Sequence, residues 1–194
     1  MHSLSASEIT ILQEERTSLW HDIEPQVSLN GFSALVEENH LQNFCLWHEE
    51  DIARRDDLGA ERVRQAKRAI DRYNQRRNDL IEAIDAYLVK ELQPPTHNCP
   101  FNSETPGMMI DRLSILALKA FHMSEETQRQ DASDEHRRRC DTKLQVIRRQ
   151  IQDLSLALTE LCQQVRDKSR SFRVYYQFKM YNDADLNPEL RKAS

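Results

Sequence analysis

Residues 144–165 read LQVIRRQIQDLSLALTELCQQV, and this stretch carries the clearest structural pattern of the chain. Its apolar side chains recur at alternating steps of three and four, which is the spacing of one face of an α-helix. The stretch predicts a long fifth helix, from about Asp134 to Lys168, whose apolar seam packs in a core or against a second copy of the chain. The seam consists of Leu144, Ile147, Ile151, Leu154, Leu158, Leu161 and Val165.

The composition also favours helices. The 194 residues include only 3 glycines, while 30% are charged and 39% are hydrophobic. That mix is typical of amphipathic helices, whereas a β-sandwich needs many turn glycines and β-branched runs. We predict an all-α helical bundle of about four to five helices, a single domain over residues 1–194, with an aromatic arm at its C-terminal end.

Turn signals place the remaining helices. Asn30 and Gly31 separate the N-terminal helix and its connector, residues 1–32, from the rest, and Pro94 with Pro95 ends the longest helix. Ser7 is the expected N-cap of the first helix. The predicted bounds are Ser7 to about Asp22, Ser33 to about Asp57, Ala60 to about Leu92, and Thr105 or Pro106 to about Gln128.

Charge, cysteine spacing and hydropathy argue against several classes of protein. The net charge of -5 argues against a dedicated nucleic-acid binder. The scattered cysteines form no CxxC pair, so neither a disulfide framework nor a zinc site is indicated. The chain begins without a signal-peptide pattern and has no apolar run of about 18 residues, the length that spans a bilayer. We expect a cytoplasmic protein without membrane insertion.

The start of the fourth helix has an unusual composition, NSETPGMMIDRLSI at 102–115. Thr105 suits the N-cap and Pro106 the first helical position. Gly107 leaves the first-turn amides uncovered, and such amides form an anion site. The alternative is that Gly107 only permits close packing against a neighbouring helix.

A second unusual feature is Arg77, which lies with Asn74 on or beside the apolar stripe of the third helix. An unpaired buried ion costs several kcal/mol, so Arg77 needs a partner. That partner is either a structural carboxylate, Asp51 or Asp111, or a bound anion, which the planar guanidinium suits well.

Acidic pairs raise a further alternative. His48 and Asp51 are three residues apart, as are Glu82 and Asp85, so each pair shares a helix face. Facing pairs of this kind can hold Mg²⁺, and they resemble those of all-α nucleoside-triphosphate pyrophosphatases, although the full acidic signature is absent. We predict no cofactor, with magnesium at Asp51, Glu82 and Asp85 as the alternative. A histidine beside Trp47 is otherwise typical of a hydrogen-bonded position at the edge of a core.

Several blocks of the chain resemble a bacterial family, domain of unknown function 4254. The blocks are NFCLWHEEDIAR at 43–54, IDRYNQRRNDLIEAID at 70–85, NSETPGMMIDRLSILALKAFHM at 102–123 and YYQFKMYNDADLNPEL at 175–190, within about residues 35–191. The resemblance implies an all-helical protein whose genes lie near those for glycosyltransferases and lipopolysaccharide assembly, and it implies no particular reaction. The polar positions in these blocks are Asn43, His48, Asp51, Asn74, Arg77, Glu104, Thr105, Asp111, Arg112, Ser114, Lys119, Gln177, Lys179, Tyr181 and Asn182.

The leading hypothesis is a protein of envelope-glycan biosynthesis that binds a phosphorylated or sugar-nucleotide ligand in a polar pocket within the bundle. Arg77 and Arg112 would clamp the anion with the amides at Gly107. His48, with Asp51 or Asp111, would supply acid–base groups. The tail would contribute a lid from Lys179 and Tyr181, unless its aromatic residues only pack over the bundle.

Two other functions stay open. The seam of the fifth helix favours a non-catalytic protein that docks a glycosyltransferase or forms a homodimer. The carboxylates Asp51, Glu82 and Asp85 favour a magnesium-dependent nucleotide pyrophosphatase.

Overall fold

The protein is an all-α bundle, seen in a computed structural model that describes residues 5–176 and 185–191. Two long antiparallel pairs dominate it: α2 packs on α3 and α4 packs on α5, and α1 lies mainly against α4. The helices are α1 (Ala6–Asp22), α2 (Phe32–Ile52), α3 (Ala60–Leu92), α4 (Pro106–Gln128), α5 (Asp134–Arg166) and the short α6 (Pro188–Arg191), and the strands are β1 (Phe101–Asn102) and β2 (Ser171–Phe172).

The fifth-helix seam lies inside the molecule. Its members Ile151, Leu154, Leu158 and Val165 are buried, and the core that they join includes side chains of α1, α2, α3 and α4. Burial of this stripe removes apolar surface from water, which stabilises the fold. The seam therefore packs inside a single chain. The contacts with a second copy or with a glycosyltransferase stay predictions, and the seam is not available as their surface.

Two helix ends differ from the prediction. α1 is capped by Ser5 and not by Ser7: Ser5 Oγ accepts from Glu8 N–H at 3.3 Å, while Glu8 accepts from Ser5 N–H at 2.7 Å. α2 ends at Ile52, five residues early, because a separate 3-10 turn (Asp56–Leu58) occupies the predicted extension. That polar stretch carries no glycine before Gly59, so the sequence lacks a stop signal there.

A small clasp closes the open end of the α4–α5 pair. β1 and β2 run parallel, with Phe101 opposite Ser171 and Asn102 opposite Phe172. Next to it, Lys168 Nζ donates to the carbonyls of Leu92 at 3.1 Å and Gln93 at 2.6 Å, which caps the end of α3.

The predicted C-terminal arm is only partly described. Residues 173–176 continue from β2, whereas Gln177, Lys179, Tyr181 and Asn182 lie outside the described residues. Within the described ranges, no helix combines the length and apolarity that a bilayer crossing requires.

Candidate functional site

The positive end of α4 already holds an anion, the carboxylate of Asp85 from α3. Gly107 N–H donates to Asp85 Oδ1 at 2.6 Å, and the Thr105 hydroxyl donates to Asp85 Oδ2 at 2.5 Å. A carboxylate at this position satisfies a first-turn amide and interacts favourably with the helix dipole. Burial raises the pKa of Asp85 to about 6, while these two hydrogen bonds oppose that shift.

Gly107 is explained by the same contact. A Cβ atom at this position would lie 2.7 Å from Asp85 Oδ1 and 2.7 Å from the Ile81 carbonyl oxygen. The missing side chain therefore lets the first turn of α4 touch the α3 backbone. Gly107 is therefore explained by close packing against a neighbouring helix, which was the alternative to an anion site. Its amide already donates to the Asp85 carboxylate of the same chain.

Further along α4, a buried polar network joins α2 to α4 around Asp111. The Asp111 Oδ1 atom accepts from Asn39 Nδ2 at 3.1 Å and from Asn43 Nδ2 at 2.9 Å. Asn43 Nδ2 also donates to Ser114 Oγ at 3.0 Å. These side chains are buried in the bundle, so Asp111 acts here as a hydrogen-bonded structural anion.

The network continues through His40 to α1, and its donors define one tautomer. Thr17 Oγ1 donates to the Gln13 carbonyl at 2.8 Å, so it accepts from His40 Nε2–H at 2.9 Å. His40 Nδ1 then accepts from the Ser114 hydroxyl at 2.7 Å. Complete burial lowers the pKa of His40 to about 3, which keeps the ring neutral in this role.

Arg77 meets this network in the lining of a cleft between α2, α3 and α4. Its Nε lies 3.7 Å from Asp111 Oδ1, which is too long for a hydrogen bond, and this buried Nε has no hydrogen-bond partner among the described residues. The cleft has a volume of about 310 Å³. It is lined by Asn43, Leu46, Trp47, Glu50, Asp51, Arg54, Asn74, Arg77, Ile115 and Leu118.

Arg112 does not join Arg77. Its Nη1 donates to both carboxylate oxygens of Glu104, at 2.7 and 2.8 Å, on the outside of the bundle. With Lys119 it lines a different groove, between α4 and α5, together with Gln150 and Asp153. The predicted clamp is therefore wrong in its geometry, because Arg77, Arg112 and the Gly107 amide lie at three separate places.

The three carboxylates of the magnesium alternative are also separated. Asp51 lines the cleft with Arg77, whereas Glu82 and Asp85 line a small recess beside Thr105 and Arg173. In residues 5–176 and 185–191, these carboxylates form no group that could hold one ion. The structure thus offers no shared magnesium site for Asp51, Glu82 and Asp85, and the pyrophosphatase alternative loses the geometry that it required.

His48 lies outside the Asp111 network. Its ring contacts those of His21 and His122, and burial together with these two neighbours lowers the pKa of His48. Asp51 is near enough to act electrostatically on His48, in the opposite sense. The structure therefore places His48 beside two other histidines and not beside Asp111, which is buried in the core.

The comparisons with known proteins identify a family and nothing further. The sequence model described as "Protein of unknown function (DUF4254)" matches residues 33–174. The chain belongs to the DUF4254 family. No curated protein and no solved structure gives a significant match.

The DUF4254 match begins after α1, yet α1 supplies Gln13, Thr17 and His21 to the polar interior and to the histidine group. Sequence reasoning missed these residues, together with Asn39, His40 and His122. A signal for the histidines is present, because each of His21, His48 and His122 directly follows an aromatic residue. Asn39 and His40 carry no such signal, because single polar residues on a helix face do not reveal whether they are buried.

Proposed function

We propose that this protein binds a phosphorylated or sugar-nucleotide ligand in the cleft between α2, α3 and α4. The observation that carries the proposal is Arg77, whose buried Nε lacks a hydrogen-bond partner among the described residues and faces Asp111 across 3.7 Å. A guanidinium that lines a cleft and has a donor without a hydrogen-bond partner among the described residues suits a phosphate or carboxylate oxygen.

The lining of the cleft supports a ligand with two kinds of polar group. Arg77 brings positive charge and Asp51 negative charge, while Arg54 and Glu50 form an ion pair at 2.7 Å on the same lining. Arginines bind phosphate oxygens, and carboxylates accept hydrogen bonds from sugar hydroxyls. The volume of about 310 Å³ is at the lower end of the range for small-molecule sites, about 300–1,000 Å³, so a sugar phosphate fits better than a large dinucleotide.

The cellular setting that we propose is envelope-glycan biosynthesis in the cytoplasm, which follows from the family resemblance. Such a pathway supplies sugar phosphates and sugar nucleotides, the ligand class that the cleft lining favours. The tail residues Lys179 and Tyr181, which lie outside the described residues, keep their proposed role as a lid.

A ligand screen tests the proposal. Full-length protein is tested by thermal shift and calorimetry against sugar 1-phosphates, nucleotide sugars, inorganic phosphate and the unphosphorylated sugars. We expect stabilisation by phosphorylated ligands only, and a loss of affinity of about 10- to 100-fold in Arg77→Gln, because a hydrogen bond to a charged group contributes about 1.5–3 kcal/mol.

Arg112→Gln is the matched control, because Arg112 is exposed, already paired with Glu104, and outside the cleft. It should bind as the unmodified protein does. Absence of any stabilising ligand, or equal affinity in a folded Arg77→Gln protein, contradicts the proposal.

A further inference from the structure

Three histidines meet at one end of the bundle, each from a different helix. His21 lies in the last turn of α1, His48 near the end of α2 and His122 in the second half of α4. One ring nitrogen of each lies within 4.8 Å of the other two. The ring centroids are 5.2 Å apart for His21 and His48, 5.1 Å for His21 and His122, and 5.8 Å for His48 and His122.

These separations match those of a tetrahedral metal site. Metal–nitrogen bonds of about 2.0–2.1 Å place imidazole centres about 3.2 Å from the ion and, at tetrahedral angles, about 5.2 Å from one another. Two of the observed separations lie within about 0.1 Å of this spacing and the third exceeds it by about 0.6 Å. The ring centres are therefore spaced, to within about 0.6 Å, as three imidazole ligands of one ion would be.

The hydrogen bonds leave ring nitrogens available as ligands. His21 Nδ1 lies 2.6 Å from the Thr17 carbonyl oxygen, and His122 Nδ1 lies 2.7 Å from a Glu125 carboxylate oxygen. Both partners are acceptors, so Nδ1 carries the proton in the neutral rings and the lone pair is at Nε2. The buried Nε2 of His122 has no hydrogen-bond partner in the described part of the chain.

The surroundings are those of a metal-binding histidine. An acceptor on the second ring nitrogen fixes the tautomer and orients the ring, and carboxylates commonly have this role beside zinc. Trp47 stacks on His122 with centroids 4.9 Å apart, and Phe121 stacks on His21 at 4.2 Å. These aromatic walls restrict the rings, while the exposed His21 leaves a path from solvent.

A second group, Glu126, His136 and Cys140, does not carry the same argument. His136 Nε2 already bonds the Glu126 carboxylate at 2.8 Å and lies 3.3 Å from Cys140 Sγ. The His136 ring nitrogen of this group is therefore already hydrogen-bonded within it, whereas Nε2 of His122 has no such partner in the described part of the chain.

We propose that His21, His48 and His122 bind one divalent transition metal ion, with Zn²⁺ as the ion best suited to three imidazoles. Three nitrogen ligands leave the fourth tetrahedral position open to water or a small ligand, as in catalytic zinc sites. Trp47 also lines the Arg77 cleft, so the ion would lie beside that cleft. The metal site does not depend on the proposed function, because its geometry includes neither Arg77 nor Asp111.

Metal titration of the full chain tests the proposal. Chelator-treated protein is titrated with Zn²⁺ in competition with a chromophoric chelator, and with Co²⁺ followed by visible absorption. We expect one equivalent bound in a tetrahedral, imidazole-type spectrum. His48→Ala and His122→Ala should weaken binding by more than about 100-fold, and Glu125→Ala by about 10- to 100-fold, because it removes the hydrogen bond that orients His122.

Two control variants separate this site from other histidines and from the thiol. His97→Ala removes an exposed loop histidine, and Cys140→Ser removes the thiol of the second group; both should bind like the unmodified protein. Circular dichroism establishes that each variant is folded, and His48→Gln replaces His48→Ala if the latter unfolds. Absence of stoichiometric binding in the unmodified protein, unchanged affinity in folded histidine variants, or binding lost with Cys140 overturns the proposal.

Discussion

At the scale of single residues, Asp85 and Gly107 act as one unit. The carboxylate caps the α4 amide, and the glycine allows the approach of the two helices that makes this cap possible. An anion at a helix start is electrostatically favourable, and here α3 of the same chain supplies it. The ligand site that we propose therefore lies elsewhere, at Arg77.

Gly107→Ala should destabilise the protein, although glycine to alanine in a helix normally stabilises it by about 0.5–1 kcal/mol. The new Cβ would lie 2.7 Å from the Ile81 carbonyl oxygen, a backbone atom that cannot rotate away. We expect a loss of about 1–3 kcal/mol in the free energy of unfolding, as for other overpacked sites. Urea unfolding measures it, and an unchanged or increased midpoint would contradict the close contact.

Residue identities alone could not reveal this pairing. Glu82 and Asp85 look equivalent in the sequence, three residues apart on one helix, yet Asp85 is buried and bonded to α4. Arg77 was recognisable as a charge that needed a partner, and Asp111 was one of the two carboxylates expected. Whether Arg77 faces Asp51 or Asp111 depends on the rotation of α3 about its axis, which the spacing of residues along one helix does not determine.

At the scale of secondary structure, the helices were largely predictable and their surroundings were not. The bounds of α3 and the start of α4 agree with the prediction because proline, glycine and threonine mark them. The predicted end of α2 was wrong because no glycine or proline follows Ile52 until Gly59. The seam of α5 was correctly assigned to a buried contact, but periodicity cannot distinguish the chain's own core from a second copy.

Two leucines of α5 test the internal role of the seam. Leu158 is 2% exposed in the core and Leu156 is 59% exposed on the opposite side of the helix. Leu158→Ala should cost about 2–5 kcal/mol of stability through lost burial and a cavity. Leu156→Ala is the matched control and should stay within about 0.5 kcal/mol of the unmodified protein. Equal effects in thermal and urea unfolding would show that the seam is not an internal contact.

At the scale of the whole molecule, a single neutral histidine links three helices. His40 on α2 bonds Thr17 on α1 and Ser114 on α4, so its protonation disrupts contacts across the bundle. The folded pKa is about 3, below the ordinary value of 6.5. The unfolded chain therefore binds the proton first as the pH falls, and folding stability declines below about pH 6.5.

A comparison of the unmodified protein with His40→Gln isolates this effect. The stability difference should be largest near pH 7 and shrink by about 1.4 kcal/mol per pH unit between about pH 6 and 4. Asp85, with its pKa raised to about 6, contributes in the opposite direction, but it is present in both proteins and cancels. A flat difference for His40→Gln would show that His40 is not held neutral.

The clasp between β1 and β2 has a kinetic consequence. It joins residues 101 and 171, so the α4–α5 pair becomes a closed loop rather than a hairpin with one free end. Forming this contact brings together segments distant along the chain, so we expect the entropy of loop closure to make it a late step in folding. In the native protein the C-terminal end of α5 cannot fray independently while the clasp holds. Slow amide exchange should then extend to that end of the helix, so that α4 and α5 open together as one cooperative unit.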